Sequence, residues 1–367
     1  MIYLDNAATS FPKPKSVIRE VTRCLKEYCG NPGRSSHSIA LAAANKIFET
    51  RVLVSEFLGY GNFENVIFTP NATFALNLAI KGIIKDKCHC IISDLEHNSV
   101  LRPLYKVLDR YGGELSIFNT DQPLASSILP LIRSDTRAII STLSSNVTGK
   151  TVYIYELSKI AKENGLKLIL DASQYSGHKV LNLEGLYFSA LCCAGHKGLF
   201  GIQGSGFAII NDEELMDTVC EGGSGIDSFS HVMPELLPER YEAGTLSTPS
   251  VASLYAGISF INQTGIGTIE KKLNYLTGAL SDRLIDLGAT VYGAENGIIA
   301  FNLKNYNSSY VSDALDKYGI ATRSGFHCSP LVHEKLGTTE RGAVRVSLSY
   351  FNTEQEIERL CYTLRRI

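Results

Sequence analysis

Leu166-Lys167-Leu168-Ile169-Leu170-Asp171 and, downstream, Cys192-Cys193-Ala194-Gly195-His196-Lys197-Gly198 are the stretches that decide how this 367-residue chain reads. The first is a mostly apolar run closed by an aspartate. It predicts a buried strand with a carboxylate at its C-terminal end, the usual place for a ligand group in an open α/β sheet. The second predicts another buried strand that runs into a glycine-containing turn carrying Lys197. A lysine that forms a Schiff base with pyridoxal phosphate needs a carboxylate at the pyridine nitrogen, which keeps the ring protonated as an electron sink. Lys197 and Asp171 supply that pair. Two residues alone fit a surface lysine and a helix-capping aspartate equally well, so the weight falls on the rest of the chain.

Outward from this pair, strand-like segments alternate with helix-like ones. The strands are expected at Val66 to Thr69, Cys90 to Ser93, Leu115 to Asn119, Ala138 to Thr142, Leu166 to Asp171, Ser189 to Cys193 and Gly206 to Ile210. Helices are expected near Phe74 to Ile84, Asn98 to Tyr111, Pro123 to Arg133 and Ile154 to Asn164. That order predicts an α/β fold with a mostly parallel sheet covered on both faces. From about Ser250 a long helix-like stretch leads to a strand at Gly297 to Leu303, another helix and a closing amphipathic helix near Thr353 to Arg366, which reads as a smaller α+β domain. The domains expected are a large one over 15–250 and a small one made of 1–14 and 251–367.

The composition is that of an ordinary soluble globular protein, 44% hydrophobic and 20% charged. A net charge of −2 with mixed signs gives no basic footprint for nucleic acid and no polybasic membrane patch, so the expected partner is a small molecule. The opening Met1-Ile2-Tyr3-Leu4-Asp5-Asn6 lacks the basic and apolar regions of a signal peptide, and no uncharged apolar run reaches the roughly 18 residues that cross a bilayer. A cytoplasmic location is expected. Nine cysteines without regular spacing do not resemble a disulfide framework and are expected to be mostly reduced thiols. Cys88-His89-Cys90 has no second pair of ligands and is a weak zinc signal, so no metal is expected.

Further candidates follow the strand ends. Pro70-Asn71-Ala72-Thr73 follows a strand and opens a helix, so its backbone N–H groups and the Thr73 hydroxyl could hold a phosphate at the positive end of the helix dipole, or simply cap the helix. His97 follows another strand and could stack on a flat ring. Gln174, three residues after Asp171, could hydrogen-bond a phenolic oxygen through its amide. In Arg323-Ser324-Gly325-Phe326-His327-Cys328-Ser329-Pro330 a cysteine lies beside a histidine and near an arginine. Nearby positive charge raises a thiolate fraction, which makes Cys328 the best candidate for a reactive thiol; the other eight cysteines read as structural.

Asp171 with Gln174, Gly195-His196-Lys197, Glu242-Ala243-Gly244-Thr245, Arg323 to Cys328 and Arg345 together resemble the class V aminotransferase family, and within it the cysteine desulfurases and selenocysteine lyases. The matches run from Leu4-Asp5-Asn6-Ala7-Ala8 almost to the C-terminus. The resemblance implies a fold type I, aminotransferase-like enzyme that uses pyridoxal 5′-phosphate and works as a homodimer. By that analogy Lys197 carries the cofactor, Asp171 pairs with the pyridine nitrogen, Gln174 contacts the phenolic oxygen and His97 stacks on the ring. Ala72, Thr73 and His196 would contact the phosphate, joined by Thr245 from the other subunit. Asn146 and Arg345, with Arg323, would hold the substrate carboxylate, Arg345 through a bidentate pair. Ala194 stands where the family commonly has a serine, and Ile202 where a proline is common.

The activity implied is removal of sulfur from L-cysteine, with Lys197 moving the α-proton and Cys328 taking the sulfur as a persulfide while alanine leaves. The short stretch from Cys328 to Arg345 resembles the ordered cysteine loop of group II desulfurases. A sulfur-acceptor protein is an expected partner beside the amino-acid substrate. Selenocysteine lyase, another β-eliminating lyase, an aminotransferase, or a catalytically silent relay or scaffold subunit are the alternatives at this point.

Overall fold

The computed structural model describes residues 1–33, 36–212, 214–304 and 306–367. Its strands are β1 (Ile2–Tyr3), β2 (Val66–Thr69), β3 (His89–Ser93), β4 (Glu114–Phe118), β5 (Thr136–Thr142), β6 (Lys167–Asp171), β7 (Ala190–Ala194), β8 (Gly206–Ile210), β9 (Thr290–Glu295), β10 (Ile298–Asn302), β11 (Ile320–Ala321), β12 (Arg323–Gly325) and β13 (Ala343–Ser347). The helices are α1 (Lys15–Arg23), α2 (Ser38–Phe57), α3 (Ala72–Ile83), α4 (Asn98–Tyr111), α5 (Leu124–Ile128), α6 (Ile154–Glu163), α7 (Thr248–Thr264), α8 (Ile266–Asp286), α9 (Ser308–Lys317), α10 (Pro330–Lys335) and α11 (Glu354–Leu364).

Seven strands form the main sheet in the order β2-β8-β7-β6-β5-β3-β4. All pairings from β7 to β4 are parallel, and β8 alone runs the other way between β7 and β2. Successive side chains of a strand point to opposite faces, and the apolar runs here supply both. Ile67, Ile92, Ala138, Ile140, Ile169 and Cys192 enter the layer under α3 and α4. Phe68, Ile91, Ile139, Leu168, Leu170 and Cys193 enter the opposite layer with α2, α6 and α7. Each large aliphatic side chain buried this way contributes about 1.5–3 kcal/mol. Burial on both faces is also why these strands read as nearly continuous apolar runs.

The second sheet is antiparallel, in the order β12-β13-β10-β9. The chain's own start runs beside it: β1 pairs with β11 in a separate two-stranded sheet, and the Ser347 N–H of β13 donates to the Leu4 carbonyl at 2.7 Å. One expected helix differs. Pro123 to Arg133 is the short α5 followed by a 3-10 turn at Leu129–Leu131, because Pro130 has no N–H to continue an α-helical ladder.

The geometry that matters is at one edge. Because β2, β3, β5, β6 and β7 share a direction, Thr69, Ser93, Thr142, Asp171 and Ala194 end side by side, and the segments that follow them converge. β8 starts at the same edge with Gly206, where a Cβ would lie 2.7 Å from the Asn71 carbonyl carbon. Only glycine lets that strand pass so close to the start of α3.

Candidate active site

Those strand ends surround a cavity of about 230 Å³ that brings together Ala72, Thr73, His97, Asn146, Asp171, Gln174, His196, Lys197, Arg323 and Arg345. Asp171 closes β6, and its Oδ1 accepts the Ser173 N–H at 2.9 Å, which fixes the carboxylate at the strand end. Lys197 sits on the turn after β7. Gly198 lets that turn back onto the loop bearing Gln174, since a Cβ there would lie 2.3 Å from the Ser176 carbonyl oxygen. Burial lowers the Lys197 pKa, Asp171 works against that, and the guanidiniums of Arg345 and Arg323 reinforce it. The nearby His97 caps α4 by accepting the Ser99 N–H at Nδ1 (3.0 Å), and burial with the charge of Lys197 lowers its pKa to about 4, so its ring is neutral. At the start of α3 the Asn71 side chain caps Phe74, while the Thr73 hydroxyl lies 2.8 Å from that of Ser99.

Four polar atoms around this cavity are buried without a partner: Ser173 Oγ, Gln174 Oε1, His196 Nδ1 and Arg345 Nε. Buried polar groups left unpaired are costly, and four converging on one cavity fit a guest that pairs with them. With a lysine amine, a carboxylate at a strand end and a helix N-terminus of twelve-residue α3, the set matches an anionic, aromatic, aldehyde-bearing group such as pyridoxal phosphate.

Arg345 is 1% exposed, in the middle of β13. Its Nη1 donates to the Asn146 carbonyl at 2.9 Å and its Nη2 to Asp5 Oδ1 at 2.7 Å. The strand order sets Arg323 opposite Arg345 in register. Two guanidiniums against one carboxylate leave net positive charge, which favours an anion in the cavity.

Cys328 is exposed and lies next to this cavity on a tight loop. Gly325, His327 and Cys328 all have positive φ, at 98°, 51° and 59°. Left-handed backbone costs about 1–2 kcal/mol for each non-glycine residue, and such strain persists where surroundings over-determine it. The Asn98 N–H donates to the Cys328 carbonyl at 2.7 Å, Asn146 Nδ2 donates to the His327 carbonyl at 2.8 Å, and the Ser329 hydroxyl donates to Asn146 Oδ1 at 2.6 Å. The side chain of His327 is stacked on His333, and burial lowers the pKa of both, that of His327 to about 2. Both imidazoles are neutral, so each has one hydrogen. His327 Nε2 faces the Arg323 carbonyl and carries its hydrogen there; His327 Nδ1 then accepts from His333 Nε2, and His333 Nδ1 accepts from the Thr338 hydroxyl. The histidine beside Cys328 therefore brings it no positive charge, contrary to the sequence expectation.

Thr245 lies elsewhere, with Asn31 Nδ2 3.4 Å from its hydroxyl and its side chain lining a neighbouring cavity beside Glu242. Among the other cysteines, Cys29 and Cys220 are exposed rather than buried, and Cys29 falls just past the helical turn Cys24–Tyr28. All nine are free thiols. The two ring nitrogens of His89 lie 2.8 Å from Thr136 and Ser116 hydroxyls, so the Cys88-His89-Cys90 run is built into the sheet. Among the described residues no helix is long and apolar enough to cross a membrane.

Sequence reasoning missed Asp5 as the partner of Arg345, Ser99, Glu96 and Lys13. Lys13 Nζ donates to the His196 carbonyl at 2.9 Å, and burial lowers its pKa to about 8. A signal for Asp5 was present: an arginine inside the apolar run Ala343-Val344-Arg345-Val346 has to find a carboxylate or carbonyls once buried.

The family model for aminotransferase class-V matches residues 2–360. A probable cysteine desulfurase of Methanothermobacter thermautotrophicus is 31% identical over all of this chain and 94% of its own length. A cysteine desulfurase of Shigella flexneri is 29% identical over all of this chain and 93% of its own. Among solved structures, the apo cysteine desulfurase of Thermococcus onnurineus superposes with a TM-score of 0.89 at 28% identity, covering 100% of this chain and 94% of that one. The sheet order, the strand-end cavity and these matches agree: the chain belongs to the class V aminotransferase family.

Proposed function

We propose that this chain is a pyridoxal phosphate-dependent cysteine desulfurase that converts L-cysteine to L-alanine and keeps the sulfur as a persulfide on Cys328. The observation that carries the reading is the common cavity of Lys197, Asp171 and Arg345, with the strained Cys328 loop pinned beside it. Relatives named cysteine desulfurase across the whole chain support it. Lys197 would hold the cofactor, Asp171 its ring nitrogen, Gln174 its phenolic oxygen and His97 its ring face. Ala72, Thr73 and His196 would hold its phosphate together with Thr245 of a second subunit in a homodimer. When bound, the cofactor supplies an electron sink for bond changes at the substrate α- and β-carbons.

The chain's own residues do the rest. Arg345 still has Nε–H, one Nη1–H and one Nη2–H to offer, after donating to Asn146 and Asp5. Arg323 adds a second cation at the same place. Asn146, by contrast, has its amide engaged at both ends by the Cys328 loop, so Arg345 and Arg323 are the better candidates for the carboxylate contact. Burial favours the neutral Lys197 amine, the form that accepts a proton from the substrate α-carbon. The Cys328 sulfur attacks the substrate sulfur: an S–S bond forms, the C–S bond breaks, and its electron pair ends, with a proton, in alanine. L-cysteine and one thiol give alanine and one persulfide, with atoms and electrons balanced. The persulfide would pass to a sulfur-acceptor protein in the cytoplasm. The division into 15–250 and 1–14 with 251–367 is part of the same reading, the N-terminal residues pairing with β11 and bridging to β13.

The test is the visible spectrum with product analysis. The purified protein is expected to be yellow, and Lys197→Ala to lose the borohydride-reducible band. L-cysteine should yield alanine; pyruvate or a keto acid would instead mean a lyase or an aminotransferase, and a colourless protein that takes up no pyridoxal phosphate rejects the reading.

A further inference from the structure

Asn146 touches both halves of the proposed chemistry. Its backbone carbonyl accepts from Arg345 Nη1, while its side-chain amide grips the loop on either side of Cys328, donating to the His327 carbonyl and accepting from the Ser329 hydroxyl. Ser329 stands at the N-cap of α10 yet makes no capping bond; its hydroxyl, on a residue with no exposed surface, is spent on Asn146 instead. Forgoing a cap has a cost, and here it goes with holding two consecutive left-handed residues, His327 and Cys328, in place. The far side of the loop is tied to the start of α4 through Asn98, the residue that follows His97.

We infer that Asn146 and Ser329 form a latch that positions Cys328 for sulfur transfer and ties its loop to the carboxylate-binding arginine. The inference rests on the desulfurase reading. Neither residue need exchange a proton with substrate: they are positioning residues, and what they set is the approach of the Cys328 sulfur. Chemistry that does not use Cys328, such as exchange of the α-proton of L-alanine with solvent, is then independent of the Ser329 arm.

Ser329→Ala and Ser329→Thr in the cofactor-loaded enzyme test this. In Ser329→Ala, alanine formation from L-cysteine should fall about ten-fold in kcat with KM little changed, as expected for one buried hydrogen bond lost. Exchange of the L-alanine α-proton in deuterated buffer should stay within about two-fold of the parent. The Asn98 amide, protected by the Cys328 carbonyl, should exchange its hydrogen about ten-fold faster. Ser329→Thr keeps the hydroxyl and should restore both turnover and protection. A Ser329→Ala enzyme with parental turnover of L-cysteine, equal losses in both reactions, or a threonine variant no better than the alanine one overturns the latch. A parent enzyme that forms no alanine from L-cysteine overturns the desulfurase reading itself and the latch with it.

Discussion

Replacing Glu96 by glutamine should change how stability depends on pH, by an amount that the structure specifies. Glu96 has no exposed surface; its Oε1 accepts the Ser93 hydroxyl and, at 2.8 Å, the Thr142 N–H, so it bridges the ends of β3 and β5 beside Asp171. Its Oε2 is buried without a partner. Burial, with the charges of Asp171 and Asp94, raises its pKa from 4.5 to about 8 against the opposing bonds from Ser93 and Thr142. In the unfolded chain the same carboxyl ionises near 4.5. Between those values the folded state holds a proton that the unfolded state has lost, so stability falls as pH rises, by about 1.4 kcal/mol per unit, and levels off above the folded pKa. Integrated from pH 6 to 9, the loss assigned to Glu96 is about 2.5 kcal/mol.

Glu96→Gln keeps an acceptor oxygen for Ser93 and Thr142 and cannot ionise, so every other titrating group cancels between the two proteins. Urea unfolding at matched cofactor content, at pH 6, 7, 8 and 9, reads the difference. The variant should gain on the parent by about 2.5 kcal/mol across that range, most of it below pH 8. Parallel curves would mean that the carboxyl is already ionised at pH 6, and the account of a neutral acid stitching the strand ends under His97 would be wrong. The constant offset between the proteins decides nothing, since the amide presents its own unpaired hydrogens where Oε2 now lies.

Two further outcomes follow from the same geometry. Cys328→Ala should lower alanine formation from L-cysteine about a hundred-fold but cost far less on L-selenocysteine, whose selenol leaves without an acceptor, and should leave the visible spectrum unchanged; parental turnover of L-cysteine would remove Cys328 as the persulfide carrier. Arg51→Met breaks the buried pair with Glu242, in which Arg51 Nη1 and Nη2 each lie 2.9 Å from a carboxylate oxygen and Glu242 also accepts the Phe68 N–H at 2.6 Å. Losing one partner of a buried pair costs about 3–5 kcal/mol. Burial already raises the Glu242 pKa with Arg51 opposing it, so the loss should be smaller at acid pH and largely recovered in Arg51→Met/Glu242→Gln by urea unfolding; a loss that neither pH nor the second substitution changes would point to lost packing instead.

The main sheet was legible because its strands other than the edge strand β4 are buried on both faces, and burial writes itself locally as apolar runs such as Ala138 to Thr142 and Leu166 to Asp171. The residues at the strand ends were legible for the same reason: Asp171, His97 and the Asn71-Ala72-Thr73 turn are polar interruptions placed where such runs stop. The short strands β9, β12 and β13 were not read. β9 and β12 are only partly buried, and a run as brief as Arg323–Gly325 has no period to detect.

What stayed hidden are the contacts that give the site its specificity, and these join residues far apart in the chain. Asp5 meets Arg345, Asn146 meets Ser329, and Asn98 meets Cys328 only after two sheets and the N-terminal segment have assembled. A local pattern carries the type of a residue but not its partner, and Asn146 entered only through the family resemblance, as a group for a substrate carboxylate. Folding gives that amide a different set of neighbours. Its carbonyl faces the arginine and its side chain faces the cysteine loop, so one residue on the loop after β5 ties Arg345 to the loop that carries Cys328. Under the proposed desulfurase reading, a substrate whose carboxylate and sulfur are separated by the length of cysteine would be matched to a fixed span of this kind, because orientation is worth most when neither end can drift.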